Sequence, residues 1–151
     1  MNETIIYTDG SSRGNPGPGG WAAILMQGAK AKELGGREDH TTNNRMELKA
    51  AIEGLKAVPV GANVRVIADS EYVVKGITLW IKGWIAKNWR TAAKKAVLNQ
   101  DLWQELSKAA EGKQVKWEVV RGHAGHEHNE RADVIATSFA DNEPIQLRSE
   151  F

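Results

Sequence analysis

Thr4-Ile-Ile-Tyr-Thr-Asp-Gly10, Gly14-Asn-Pro-Gly-Pro-Gly-Gly20 and Trp21-Ala-Ala-Ile-Leu-Met26 follow one another closely, and their reading decides the fold. Ile5, Ile6 and Tyr7 are apolar at successive positions, so the strand expected over 4–8 needs cover on both faces and belongs inside a sheet. Asp9 follows it directly. The glycines and prolines of 14–20 make a turn, and the apolar run 21–26 resumes as strand, which predicts a hairpin. The turn is no P-loop, because the Lys-Ser/Thr pair is missing and a strand follows where a helix would be required.

Outward from this hairpin, Lys32 to Gly36 is a third, weaker strand candidate. Leu48, Ala51, Ile52 and Leu55 recur at helical spacing from Asn44 to Val58, and Pro59 and Gly61 punctuate the end. Val64 to Ala68 reads as a strand closing on Asp69, with helix from Ser70. The segment Ile77 to Trp103 is helical and Trp-rich with breaks near Gly83 and Asn88. A helix over about 100–110, a strand over 115–120, the loop Arg121-Gly-His-Ala-Gly125 and a helix over about 129–140 complete the order. Ala132, Ile135, Ala136 and Phe139 give that last helix an inner face. The polar segment from Asn142 is expected to fray. No repeat or linker interrupts the chain. The fold class is therefore α/β, a mixed sheet flanked by helices.

At 151 residues and 41% hydrophobic content, one domain can bury its own core. With no cysteine, disulfides, thiolate zinc sites and thiol catalysts are excluded. The N-terminal Met1-Asn-Glu-Thr4 lacks a basic run or long apolar core, and no apolar stretch approaches bilayer length, so neither secretion nor membrane insertion is expected and the expected location is cytoplasmic. The net charge of +1 conceals an asymmetry: six Lys or Arg and no acid lie between Tyr72 and Gln100, leaving fourteen basic against nineteen acidic residues elsewhere. A basic surface beside an acidic remainder suits a polyanion partner, although a solvated lysine-rich helix face explains the charge alone equally well.

Four acids occupy comparable places: Asp9 and Asp69 at strand ends, Glu47 in the first turn of a helix, and Asp133 early in the last helix. Such places gather at one edge of an open α/β sheet. Singly, each has an ordinary structural explanation: an Asx turn at Asp9-Gly10, a capping box over Asn44 to Glu47, a helix cap at Asp69, a surface ion pair at Asp133. Together they repel, and Mg²⁺, a hard cation with oxygen ligands, offsets such repulsion.

Tyr7-Thr-Asp-Gly-Ser11, Gly14 to Gly20, Thr41-Thr-Asn-Asn-Arg-Met-Glu-Leu48, Asp69-Ser70, Gly122-His-Ala-Gly-His126 and Asn129-Glu-Arg-Ala-Asp133 together resemble the signature segments of bacterial type I ribonuclease H, in the same order, from about Ile5 to Ala140. The resemblance implies the ribonuclease H-like fold, five strands with a basic helical protrusion, and a catalytic domain over 1–141 followed by a tail over 142–151. It implies an endonuclease that hydrolyses the RNA strand of RNA/DNA hybrids by a two-metal-ion mechanism, leaving 5′-phosphate and 3′-hydroxyl ends. Asp9, Glu47, Asp69 and Asp133 would hold two Mg²⁺ ions, with Mn²⁺ a possible substitute, and Asp9 would bridge them. His123 would assist proton transfer or product release; an imidazole on a glycine-flanked loop, titrating near neutrality, suits that task. The protein is expected to act as a monomer.

A hybrid must be distinguished by its 2′-hydroxyls and its deoxy strand, which calls for short amides at the minor groove. Asn15, Asn43 and Asn44 supply them, and the resemblance places Asn15 and Thr42 at a DNA phosphate. One of Asn43 and Asn44 is also expected to cap its helix. Trp80, Trp84, Lys87 and Arg90 on the protrusion are the expected substrate handle, while the neighbouring Ile77, Ile81 and Ile85 argue that at least one tryptophan there is core. Two departures stand out: Trp84-Ile-Ala-Lys-Asn-Trp89 carries one charge where the family often has a dense basic run, and Glu71 replaces a usual glutamine beside the groove. The first predicts weaker hybrid binding, and the second predicts weaker binding or an altered cut-site preference. A zinc site from His123, His126 and His128 is disfavoured by spacing. The competing classes are a non-catalytic hybrid-binding module, which needs a broken acid set, and a transposase, integrase or resolvase acting on DNA, against which the asparagines and the handle speak.

Overall fold

The computed structural model describes residues 3–120 and 126–151. Five strands form one mixed sheet in the order β3-β2-β1-β4-β5: β1 (Glu3–Ser12), β2 (Gly17–Gln27), β3 (Lys30–Thr41), β4 (Asn63–Ala68) and β5 (Gln114–Val119). The first three run antiparallel as consecutive hairpins, and β4 and β5 add parallel to β1. Helices α1 (Asn43–Lys56), α4 (Gln100–Ala110) and α5 (Glu127–Ala140) carry most of the cover; α2 (Glu71–Lys75) passes through a π-helical turn (Gly76–Trp80) into α3 (Ile81–Ala86).

The uninterrupted apolar run of β2 is explained by burial on both of its faces. Ala23 and Leu25 enter a core with Ile6, Leu48, Ile52, Leu55, Trp103 and Leu106 beneath α1 and α4. Ala22 and Ile24 point the other way, into a smaller core with Ala132, Ile135 and Ala136 of α5. Alternate residues of one strand thus serve two layers, and no polar face is left. Gly20 of β2 lies under the α5 backbone, where any Cβ would meet the Ala136 carbonyl, so the helix seats directly on the sheet.

Three expectations about local structure change. β1 and β3 are longer than the apolar pattern suggests, so Asp9 lies within β1 rather than at its end. Its position is still special: the parallel ladder to β4 stops at the Thr8–Ala68 pair, and Asp9 on β1 and Asp69 just past β4 are the next residues along the chain. The cap of α1 is Thr42, whose side chain accepts from the Arg45 N–H at 3.3 Å, and not Asn43 or Asn44. Finally, the C-terminal segment is docked. Ser149 bridges antiparallel to Lys32, the Glu33 N–H donates to the Arg148 carbonyl at 2.8 Å, and Ile145 and Leu147 pack on the α5 core. A polar segment need not fray when an unpaired strand edge offers it backbone partners.

Candidate active site

Asp9, Glu47 and Asp69 each offer an oxygen, and all three oxygens lie within 4.8 Å of one another. Each carboxylate arrives by a different route. Asp9 and Asp69 are delivered side by side where the parallel ladder ends. Glu47 arrives because Gly10 lets α1 press onto β1: a Cβ at Gly10 would collide with the Glu47 backbone nitrogen and with Met46. Since Thr42 caps α1 and Ser70 caps α2, its side chain accepting from the Val73 N–H at 3.3 Å, neither Glu47 nor Asp69 is spent as a cap.

Asp9 is 3% exposed and Glu47 4%. One oxygen of Asp9 accepts from the Gly10 N–H at 2.9 Å, while Asp9 Oδ2 and Glu47 Oε2 are buried without a hydrogen-bond donor. Two carboxylates at this separation repel by about 3.5 kcal/mol at an effective dielectric near 20. Burial, followed by the charge of Asp69 and then Asp133, pushes Asp9 up to about 7, while the contact with Glu47 pulls it down. Burial and the charges of Asp9 and Asp69 push Glu47 well above the usual carboxylate range. Such a cluster favours protons or a cation. Buried oxygens without donors, all of them hard ligands, fit a divalent ion such as Mg²⁺.

Asp133, on α5, is outside the trio that meets within 4.8 Å, though near enough for its charge to raise Asp9. His123 lies outside the described residues. His128 faces Tyr7, ring centroids 4.8 Å apart.

The predicted substrate residues collect in two grooves. Asn15, Thr42, Asn43 and Asn44 line one of about 260 Å³, together with Leu98 and Asn99. Asn15 is fixed there, its side-chain oxygen accepting from the Asn43 N–H at 3.0 Å and the Ser12 hydroxyl at 3.2 Å. Trp80, Trp84, Lys87 and Arg90 line a second of about 380 Å³ on the protrusion. Trp84 is also an anchor, with ring centroids 5.2 Å from the fully buried Trp103 and 6.2 Å from Trp89, whereas Trp80 is exposed. Glu71 opens α2 with its carboxylate 3.3 Å from Lys75.

Asn99 was not among the expected residues. It holds a left-handed backbone (φ 61°) immediately before α4, yet makes no side-chain cap bond. Its amide instead accepts from Arg45 at 3.3 Å and donates to the Tyr72 hydroxyl at 3.0 Å, and Arg45 forms a bidentate pair with Asp101 at 2.9 and 2.7 Å. The available signal was an asparagine, which tolerates positive φ, directly ahead of a helix.

A carboxylate cluster at the strand ends of an open mixed sheet, in a chain that also carries an amide-lined groove and a basic aromatic one, fits the class of nucleases with a mixed-sheet core that bind divalent ions. Comparison with known proteins narrows the class. The RNase H family model matches residues 1–141. The chain is 55% identical over 136 residues to the ribonuclease H of Cupriavidus necator, covering 90% of this chain and 94% of that protein. It is 54% identical over 141 residues to that of Hydrogenovibrio crunogenus, covering 93% and 97%. Among solved structures, LC9-RNase H1, described as a type 1 RNase H with the type 2 active-site motif, superposes with a TM-score of 0.85 at 33% identity, over 97% of this chain and 75% of that one. LC11-RNase H1, solved in complex with an RNA/DNA hybrid, gives 0.66 at 25% identity, over 92% and 97%. The chain belongs to the ribonuclease H family and is an enzyme of that family, a phosphodiester hydrolase acting on RNA.

Proposed function

We propose that the protein cuts the RNA strand of RNA/DNA hybrids at the edge where Asp9, Glu47 and Asp69 meet, with Asp133 completing the set. The observation that carries this reading is a trio of carboxylates whose oxygens come within 4.8 Å of one another, Asp9 and Glu47 being buried and each having an oxygen without a donor, in a chain of this family. The hybrid complex of LC11-RNase H1 supports the substrate.

Asp9, Glu47, Asp69 and Asp133 would hold two divalent ions, Mg²⁺ with Mn²⁺ as substitute. When bound, such a pair supplies positive charge to the attacking and the departing oxygens of the scissile ester. The four carboxylates would set where those charges sit, and Asp9 and Glu47, whose pKa values are raised by burial and by neighbouring charge, would give up their protons to do so. Water adds to phosphorus as the bond to the 3′ oxygen breaks, leaving a 5′-phosphate and, once protonated, a 3′-hydroxyl. His123, between Gly122 and Gly125 in the sequence, serves that proton transfer or the release of product. Asn43 and Asn44 present exposed amides to the minor groove. Asn15, Thr42 and Asn99 hold a phosphate of the DNA strand in the amide-lined groove. Trp80, Trp84, Lys87 and Arg90 grip the backbone further along, and Glu71 lessens that grip. The protein acts as a monomer in the cytoplasm; no described helix is long and apolar enough to cross a membrane.

The test offers hybrid, DNA duplex and RNA duplex side by side, with and without Mg²⁺, and analyses the ends. Cleavage restricted to the RNA strand of the hybrid, dependent on the metal and yielding 5′-phosphates, is expected. Cleavage of DNA duplex, or tight hybrid binding with no cleavage, would overturn the reading.

A further inference from the structure

Glu33 is a buried carboxylate that the reaction does not use. It stands on β3, the outer strand of the hairpin meander, with its side chain 1% exposed. Arg131 of α5 donates to both of its oxygens at 2.9 Å, and the Arg148 N–H of the C-terminal segment donates to Oε1 at 2.8 Å. Arg131 also donates to the Gln146 carbonyl at 3.2 Å. One carboxylate therefore ties three pieces of chain together: the sheet edge, α5 and the segment from 142 onward, which lies beyond the family match at 141. Burial opposes its charge, but Arg131 and the Arg148 N–H overcome this and hold Glu33 below the usual carboxylate range.

Arg131 precedes Asp133 by two residues, about 200° around the helix, so the two side chains leave α5 on nearly opposite sides. A bidentate arginine resists rotation of the helix about its axis in a way a single contact cannot. Elsewhere α5 is held at its ends and along its inner face. The Tyr7–His128 ring contact lies in its first turn, and the Arg13–Asp141 pair, also bidentate at 2.6 and 2.7 Å, lies exposed just past its last. Its inner face, with Ala132, Ile135 and Ala136 fully buried, seats on the sheet, and the Arg131–Glu33 pair adds a contact partway along the helix to a buried carboxylate. Asp133 also stands outside the compact trio, so its distance from the reaction depends on where α5 is set.

We infer that Glu33 and Arg131, locked by the C-terminal strap, are positioning residues that set the rotation of α5 and so the reach of Asp133 toward the metal site. This rests on the reading of Asp133 given above. The strap is then part of the catalytic apparatus rather than an appendage to it.

The experiment compares full-length wild type, Glu33→Gln, Arg131→Lys and Asp133→Asn, with Ile52→Val as a core truncation on the opposite face of the sheet. It reads kcat and KM for hybrid, melting temperature, and the affinity of the substrate-free protein for Mn²⁺ by calorimetric titration. Glu33→Gln should lower kcat about tenfold, leave KM within twofold, and weaken Mn²⁺ binding about threefold, with Arg131→Lys intermediate. Ile52→Val should lose melting temperature while keeping wild-type kcat and Mn²⁺ affinity. Wild-type kcat and Mn²⁺ affinity in Glu33→Gln, or in Arg131→Lys should the first variant not fold, overturns the inference. So does an equal loss of both in Ile52→Val. Wild-type cleavage by Asp133→Asn would instead overturn the role of Asp133, and the inference with it.

Discussion

Asp9 and Glu47 sit on regular elements and Asp69 directly follows β4, where little can move without breaking the sheet or the seat of α1. Trp80, Lys87 and Arg90 sit on a protrusion where regular structure gives out. Asn88, Trp89, Lys94 and Asn99 all hold left-handed backbones there, and one isolated bridge, Arg90 to Ala96, closes the turn. The contrast separates two kinds of work. Carboxylates that must share an ion need placement within fractions of an ångström and accept the cost of mutual repulsion. Cations that meet a phosphate backbone need only be in the neighbourhood, since the attraction is long-ranged and salt-screened. The two regions meet through Arg45, two residues before Glu47 on α1, which ties Asp101 and Asn99 at the base of the protrusion.

The sharpest way to break this comparison is Asp9→Asn. Cleavage at saturating hybrid should fall by about three orders of magnitude or more with the circular dichroism of the wild type retained. A variant keeping a tenth of wild-type kcat would place the chemistry elsewhere. Within the protrusion, Trp84→Ala should cost about 2–4 kcal/mol in denaturant unfolding, because the ring bridges Trp103 and Trp89. Trp80→Ala should cost under about 1 kcal/mol and raise KM instead. Equal losses for the two would erase the distinction between anchor and contact.

The pH dependence of the metal-free protein sharpens it further, because its buried carboxylates act with opposite signs. Glu33, held low, contributes stability above its unfolded pKa and loses it as pH falls through the folded value. Asp9, pushed up to about 7, binds more protons folded than unfolded, so stability falls as pH rises from about 4 through 7. Unfolding free energy should therefore peak in mildly acidic buffer and drop by about 1–3 kcal/mol toward pH 8. Asp9→Asn should flatten the descending limb alone. The smallest effect is expected from Lys87→Ala and Arg90→Ala: kcat within twofold, KM up a few-fold, and the slope of log affinity against log salt reduced by about one for each. A large fall in kcat would make the handle catalytic.

The meeting of Asp9, Glu47 and Asp69 was legible because each stands beside an unmistakable boundary, an apolar run ending or a helix pattern starting, and such ends gather at a sheet edge. Asp133 stands early in its helix as expected but outside that trio. β3 was only half legible, since Gly35 and Gly36 weaken its pattern. Their purpose is packing, the Phe139 ring lying over one and the Trp21 ring over the other. Docking of the segment from 142 onward was not legible at all. It depends on a carboxylate more than a hundred residues away and on backbone pairing, neither of which leaves a periodic trace. Asn99 escaped for a similar reason, its amide being recruited by Arg45 and Tyr72 from two other elements.

The central claim is that mutual repulsion in the trio is what a divalent ion relieves, and it is tested most directly by melting temperature at pH 8 with and without Mg²⁺. At a concentration ten times the dissociation constant, Mg²⁺ should stabilise the wild type by about 1.4 kcal/mol, raising the melting temperature by about 3–6 °C. Asp9→Asn should melt higher than the wild type without metal and gain little from it. A wild type indifferent to Mg²⁺, or an Asp9→Asn protein that responds equally, would contradict the account.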